Sequence, residues 1–315
     1  MRIDIVTPAF NVAPYIGDAI RSVLAQTERY WTMTIIDDGS TDETAAVVAS
    51  FDDPRIRLLR QRNAGVSAAR NLGLVASNAD AVVFLDADDW LSPNALFALS
   101  EALRAAPNAV AAVGPYQRVP DAKPGRSPGH GRPVWRPESG DMLEALMVRN
   151  LFANGGHLLI RRRILETAGP FHTGLTYGED WEYWNRLARL GSFAASASCA
   201  PLLFVRERQD SAYHHMAARP ESFVPCMDAI YSSAGARSRF SVVDLTRLRR
   251  AADAENDWII GRELIRHGKA AEGRRFLRLS VTLAPSLKRL ALLAAASLPI
   301  MRFGPFRSYP VPHSV

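Results

Sequence analysis

The sequence predicts an α/β fold with a parallel sheet, and three observations carry that expectation. Strand-like and helix-like apolar patterns alternate four times over the first ninety or so residues, joined by short loops. That alternation implies βαβ units with right-handed crossovers. The apolar run Ala81-Val82-Val83-Phe84-Leu85 is bounded by polar residues, as a strand covered on both faces would be. It ends abruptly in the carboxylates Asp86, Asp88 and Asp89. In open α/β sheets ligands bind beyond the carboxyl ends of the strands, so this is where chemistry is expected.

In chain order, Ile3 to Thr7 reads as the first strand, ended by Pro8. Ile16, Ala19, Ile20, Val23 and Leu24 recur at helical spacing and give one apolar helix face. Thr32 to Ile36 is the second strand and runs into Asp37-Asp38-Gly39-Ser40. Ser40 and Glu43 have the spacing of a capping box, which places a helix start there. Ile56 to Leu59 is a third strand, Asn63-Ala64-Gly65 a turn, and Val66 to Val75 a helix leading to the acidic strand. After it, Ser92-Pro93 reads as an N-cap followed by proline in the first turn of a helix.

Asp86 and Asp88 are two residues apart, so an extended backbone would turn both carboxylates the same way. Such a pair suits a hard divalent cation, which prefers oxygen ligands. A plainer reading is available, in which the acids simply solvate a loop after a core strand. Neither G-x-G-x-x-G nor a Walker A sequence occurs, so a bound diphosphate would depend on a metal and on basic side chains such as Arg70.

Farther on, Ala109 to Tyr116 is a candidate strand, and the Pro- and Gly-rich stretch from Pro120 to Gly140 a long loop that includes His130. Leu158-Leu159-Ile160 reads as a short strand with a brief helix after it. Gly178-Glu179-Asp180-Trp181 opens a helix whose Trp181, Trp184 and Leu187 should be core. Phe193 to Val205 includes another strand, and from Glu221 the pattern is helical. The expected domains are therefore residues 1–220 and a helical region, 221–315.

Composition is that of an ordinary soluble chain, which excludes wholesale disorder. The first residues show no signal-peptide pattern, and two cysteines, Cys199 and Cys226, form no CxxC pair. A cytoplasmic protein fits these features. The net charge of +6 is concentrated in the last third, where Lys288 and Arg289 adjoin the apolar stretch Leu290 to Met301. That stretch is too short to span a bilayer. It reads either as an interfacial helix at the cytoplasmic face of the inner membrane or as a core helix, and the charge either as a membrane-facing or a solvated face.

Taken together, five stretches resemble the family 2 inverting glycosyltransferases of GT-A fold. They are Thr7-Pro8-Ala9-Phe10-Asn11, Ile36-Asp37-Asp38-Gly39-Ser40-Thr41-Asp42, Asn63-Ala64-Gly65-Val66-Ser67-Ala68-Ala69-Arg70-Asn71, Leu85-Asp86-Ala87-Asp88-Asp89 and Gly178-Glu179-Asp180-Trp181. The resemblance covers about the first two-thirds of the chain. It implies a mixed sheet flanked by helices, a nucleotide-sugar donor (a uridine diphosphate sugar), Mn2+ or Mg2+, and a glycan or lipid-linked acceptor. It implies no nucleic-acid partner.

By the same resemblance Thr7, Pro8 and Phe10 would line the nucleotide pocket, and Asp38, or Asp37, would hydrogen-bond the base. Asn63, Gly65 and Arg70 would lie along ribose and diphosphate. Asp86 and Ala87 would face ribose or sugar, and Asp88, with Asp86, would bind the metal. Asp180 would be the general base with Glu179 beside it. Arg206 would stand in a flexible loop near the diphosphate, or be a surface charge. His214-His215 is a weak candidate for a metal ligand, with no supporting ligand spacing.

Departures from the family pattern narrow the reading. Val12-Ala13-Pro14 follows Asn11 where many relatives carry an acid, and no Q-x-x-R-W motif of processive synthases occurs. Two rivals stay open: a sugar-phosphate nucleotidyltransferase, which would need a glycine-rich loop after the first strand, and a non-catalytic nucleotide-sugar or glycan-binding protein.

Overall fold

The computed structural model describes residues 1–120, 133–208 and 217–297. His130, His214 and His215 lie outside the described residues, as does the end of the apolar stretch beyond Ser297. Two compact units divide the chain, and they do not follow chain order. The first comprises Met1–Met142, Phe152–Gly174 and Arg186–Arg208; the second comprises Leu143–Leu151, Leu175–Asn185 and the chain from Gln209 on.

The first unit is built on a seven-stranded sheet in the order β3-β2-β1-β4-β8-β6-β9. Its strands are β1 (Ile3–Ala9), β2 (Trp31–Asp37), β3 (Ile56–Arg60), β4 (Ala81–Phe84), β6 (Ala111–Val113), β8 (Leu158–Arg161) and β9 (Phe193–Ala195). β1 pairs in parallel with β2 and β4, whereas β8 runs antiparallel to β4 and β6, so the sheet is mixed. A second, three-stranded sheet joins β5 (Trp90–Leu91), β10 (Leu203–Glu207) and β7 (Tyr116–Pro120). The sequence pattern merges β6 with β7 and β9 with β10, because short apolar runs do not show where a strand changes sheets.

Burial follows the apolar pattern. Ile3, Ile5 and Val6 on β1, Val82, Val83 and Phe84 on β4, and Ile16, Ile20 and Val23 on α1 (Ala13–Leu24) are inaccessible or nearly so. Each such side chain contributes about 1.5–3 kcal/mol by leaving water. α3 (Val66–Ala76) lies unusually close to the sheet: a Cβ on Gly73 would overlap the Val6 side chain and approach Ile36 Cδ1 at 2.9 Å.

Three local expectations are corrected. Ser40 and Glu43 form no capping box. α2 (Thr44–Ala49) starts later, Asp42 Oδ1 accepts the Thr44 N–H at 3.0 Å, and Ser40 Oγ instead accepts the N–H of Asn11 at 3.0 Å. Ser92-Pro93 is not the helix cap either: Pro93 and Asn94 form a turn, and α4 (Ala95–Ala105) begins after Asn94. The backbone from Asp86 to Asp88 is a turn, closed by the Asp89 N–H on the Asp86 carbonyl at 3.1 Å, and not an extended strand end.

The second unit holds α5 (Leu143–Val148), the start of α7 (Glu179–Leu190) and the helices α8 (Phe223–Ser232), α9 (Ala234–Arg239), α10 (Val242–Arg266), α11 (Ala270–Leu283) and α12 (Leu287–Ser297). Between α5 and α7 in sequence, α6 (Arg162–Ala168) belongs to the first unit. Trp181 donates its indole N–H to the Leu146 carbonyl, and Tyr231 its hydroxyl to the Met147 carbonyl at 2.8 Å, so α5 is fixed among these helices. α10 and α11 cross at Gly261 and Gly273, where a Cβ on Gly261 would lie 2.8 Å from the Gly273 carbonyl oxygen. No helix among the described residues is long and apolar enough to cross a membrane.

Candidate donor site and acidic turn

The carboxyl ends of β1, β2 and β4 lie side by side, with Ala9 opposite Asp37 and Val6 opposite Phe84. Loops leaving these ends carry most of the expected donor residues. Thr7 is fully buried, and its hydroxyl has no hydrogen-bond partner among the described residues; Phe10, two residues past Pro8, is 47% exposed. Asn11 takes φ +51° and holds the loop to the next one, its Oδ1 accepting the Thr41 N–H at 2.8 Å.

Asp37 is wholly enclosed. Its carboxylate accepts the Ser40 N–H at 2.8 Å and pairs with Arg60 Nε at 3.0 Å, which leaves it no surface for a base. Asp38, 3% exposed, accepts the N–H groups of Ala64 and Gly65 at 2.9 Å each and the Gln61 amide at 2.6 Å. It therefore shapes the Asn63–Gly65 loop, where Asn63 and Gly65 are exposed. Gly39, at φ +77°, lets that loop pass close over it: a Cβ there would lie 2.9 Å from Asn63 N.

Arg70 projects from α3 and is 4% exposed; its Nη2 meets Asp86 Oδ1 at 3.0 Å, and the guanidinium lies 5.3 Å from the Phe171 ring centre. Ala87 is buried between the two acids. Asp88 pairs with Arg208 Nε at 3.2 Å. Burial and the neighbouring Asp86 raise the Asp88 pKa, and Arg208 and Arg206 oppose that rise. Arg206 is a strand residue, not part of a flexible loop. It is 6% exposed, bonds Asp18 at 2.8 Å and the Asp88 carbonyl at 2.9 Å, and lies between the rings of Tyr15 and Trp90. Arg208, two residues on, is the arginine whose side chain reaches the Asp88 carboxylate. Sequence reading missed it: Arg208 lies one residue past the end of β10, and no local pattern sets it apart from a surface charge.

Among the described residues no three His, Cys, Asp or Glu side chains gather as a ready-made metal cluster. Asp86 and Asp88 nevertheless offer hard carboxylate oxygens. That donor set fits Mg2+ or Mn2+, which commonly take one or two carboxylates and complete their shell with phosphate and water oxygens.

Residues 4–169, more than half of the chain, match the family described as Glycosyl transferase family 2. The chain belongs to that family. An Escherichia coli relative, UDP-Glc:alpha-D-GlcNAc-diphosphoundecaprenol beta-1,3-glucosyltransferase WfgD, is 38% identical over 92 residues, 29% of this chain and 36% of that protein. The first curated relatives are matched over only 13%, 31% and 53% of their own lengths. S. aureus TarS 1-349 in complex with UDP-GlcNAc shares the fold with a TM-score of 0.59 at 17% identity, over 94% of this chain and 79% of that one. Mannosyltransferase PcManGT from Pyrobaculum calidifontis, in complex with GDP-Man and Mn2+, gives 0.57 at 20% identity, over 93% and 79%. Both likenesses confirm the GT-A type of mixed α/β sheet with a helical C-terminal region.

In the second unit Glu179 and Asp180 occupy the first turn of α7, where the helix dipole favours negative charge. Asn150 Nδ2 lies 3.2 Å from Asp180 Oδ2 and 3.3 Å from Oδ1, and the Trp181 N–H is 2.6 Å from Oδ1. Gly178 precedes them at φ +72°, and a Cβ there would press on the buried Cys226 at 2.6 Å. Trp181, Trp184 and Leu187 are buried, as their spacing predicts.

Proposed function

We propose that this member of family 2 is an inverting glycosyltransferase that moves a sugar from a uridine diphosphate sugar to a glycan or lipid-linked acceptor in surface-polysaccharide or glycoconjugate assembly. The observation that carries the reading is the acidic turn at the carboxyl end of β4, with Arg70 on Asp86 and Arg208 on Asp88. UDP-Glc in the name of the Escherichia coli relative and UDP-GlcNAc in the TarS structure support a uridine donor, whereas GDP-Man in PcManGT supports only the broader class of nucleoside diphosphate sugars.

In this reading Thr7, Pro8 and Phe10 flank the nucleotide, Asp38 and the Asn63–Gly65 loop hold the base and ribose side, and Arg70 and Arg208 face the diphosphate. Asp86 and Asp88 would hold Mn2+ or Mg2+, which would offset charge on the departing diphosphate. An acceptor hydroxyl oxygen forms a bond to C1 of the sugar as the bond from C1 to the phosphate oxygen breaks. The hydroxyl proton passes to the Asp180 carboxylate, which must come within hydrogen-bond reach. Glu179 adds negative charge beside it. One displacement inverts C1, and no enzyme nucleophile is needed.

Contact with a membrane face is part of the proposal. On α12, Leu287 and Leu290 are exposed beside Lys288, and on α11 Arg275 and Arg278 are exposed with Leu279. Failure to co-sediment with anionic liposomes would remove that part alone.

The primary test is thermal stability with uridine diphosphate, with and without Mn2+, for wild type and Asp88→Ala. Ligand at a hundred times its dissociation constant adds about 2.7 kcal/mol. A Mn2+-dependent rise that is lost in Asp88→Ala is expected. No rise with uridine, guanosine or thymidine diphosphate would overturn the donor reading.

A further inference from the structure

The turn after β4 carries a third carboxylate to which the proposed chemistry gives no task. Asp89 is 2% exposed. Its Oδ1 accepts the backbone N–H of Arg206 on β10 at 2.8 Å, and its Oδ2 accepts the side-chain amide of Asn154. Asn154 in turn accepts the Gly156 N–H at 2.7 Å and so starts the one-turn helix Gly155–His157 that leads into β8. Gly156 packs tightly there: a Cβ would lie 2.9 Å from Leu203 Cδ1 and 3.2 Å from Leu85 Cδ1. One buried side chain thus ties together the acidic turn, β10 and the segment entering β8.

Filling space does not require a carboxylate at this position. Burying a charge beside two others is costly, and an amide or an apolar residue would pack without that cost. What the carboxylate supplies is two acceptor oxygens, each met by a donor. Its place in the chain makes the link consequential. Asp89 directly follows Asp88, and its N–H closes the turn on Asp86 at 3.1 Å. Arg206, whose backbone Asp89 holds, donates its Nε to the Asp88 carbonyl at 2.9 Å. Rotation at Asp89 would therefore carry both Asp86 and Asp88 with it.

We infer that Asp89 and Asn154 are a positioning pair for the donor site: their hydrogen bond fixes the orientation in which Asp86 and Asp88 meet the metal-bound diphosphate. The inference rests on the donor reading above, and it adds two residues that touch neither donor nor acceptor. It also makes a chemical demand: one partner must accept and the other must donate, while each keeps a free oxygen for a backbone N–H.

The reciprocal swap tests that demand. Asp89→Asn alone sets two amide donors face to face, and Asn154→Asp alone sets two carboxylates together. In the double variant Asp89→Asn/Asn154→Asp the new amide at position 89 donates to the new carboxylate at position 154. The remaining oxygens still accept from Arg206 and Gly156. Titration calorimetry of uridine diphosphate with Mn2+ present, at temperatures where each protein is folded, is the readout, with melting temperature recorded alongside. Each single variant should bind uridine diphosphate at least tenfold more weakly, and the double variant within threefold of wild type. Single variants that melt lower yet bind like wild type would reduce the pair to a structural role and overturn the inference. So would a double variant that folds and binds as weakly as the singles. Wild type that binds no nucleoside diphosphate with Mn2+ would overturn the donor reading and this inference together, before any variant is measured.

Discussion

Nε of Arg208 lies 3.2 Å from Oδ2 of Asp88, and both side chains are mostly shielded from solvent. An arginine that already faces the acidic turn can answer the negative charge of a diphosphate with charge-assisted hydrogen bonds, worth about 1.5–3 kcal/mol. Arg208→Gln should therefore weaken uridine diphosphate binding about tenfold while shifting the melting temperature little. Calorimetry with Mn2+ present checks this, and unchanged affinity would remove Arg208 from the donor site.

Arg206 should behave in the opposite way. Its guanidinium is enclosed between Tyr15 and Trp90 and pairs with Asp18, itself only 13% exposed at the side chain. Removing one partner of a buried pair leaves an uncompensated charge and costs about 3–5 kcal/mol. Arg206→Gln should lower the urea midpoint strongly without a change in the slope of unfolding free energy on urea. Any loss of donor affinity should scale with the unfolded fraction.

His157 gives the first unit a pH-dependent stability. It is fully buried among Tyr116, Trp135 and Phe152, with Nδ1 bonded to the Gly114 carbonyl at 2.8 Å. Because a carbonyl only accepts, Nδ1 carries the proton. Burial lowers the pKa from 6.5 to about 4, outweighing that bond. Between those values the unfolded chain binds more protons than the folded one, so stability is fully present above pH 6.5 and is lost as pH falls towards 4. The span corresponds to about 3 kcal/mol. Denaturant midpoints measured from pH 7.5 to 4.5 should fall in wild type, and by less in His157→Gln, which retains an amide donor for Gly114.

Much of this was legible in the residues, for physical reasons that differ by element. β4 is buried on both faces, so an unbroken apolar run marks it; β1 is buried as fully, but Asp4 and Thr7 interrupt its apolar run. α1 is buried on one face, so its stripe repeats at helical spacing, whereas α7 is buried all round over Trp181–Asn185 and its aromatic residues mark it instead. Asp86 and Asp88 stood out because charge at the end of a buried strand is costly unless it has a use. Their turn geometry did not stand out: an i, i+2 pair carries no sign of whether its backbone is extended. Ser40 and Glu43 matched a local capping pattern, but Asn11, 29 residues away from Ser40, claims the serine hydroxyl. Asp37 and Asp38 look alike in sequence, and only the fold gives one to Arg60 and the other to the Asn63–Gly65 loop. Asp89, Asn154 and Arg208 belong to partnerships spanning 65 to about 120 residues, beyond the reach of any local pattern.

The last prediction concerns the backbone of that loop. Gly65 sits at φ +88° and ψ 163°, a combination reserved for glycine, and its N–H reaches Asp38 Oδ2 at 2.9 Å. Among the described residues, chain neighbours aside, no atom lies within 4 Å of where a Cβ would stand, so Gly65→Ala meets backbone strain and no clash with them. Such strain costs about 1–3 kcal/mol. It is relieved if residue 65 leaves this conformation, and that breaks the bond to Asp38 and moves the start of α3. Gly65→Ala should therefore lower both the melting temperature and the affinity for uridine diphosphate. Ala64→Gly, at an exposed neighbour whose N–H also meets Asp38, should change the affinity far less. Equal losses in the two variants would show that loop flexibility, and not the conformation of Gly65, governs donor binding.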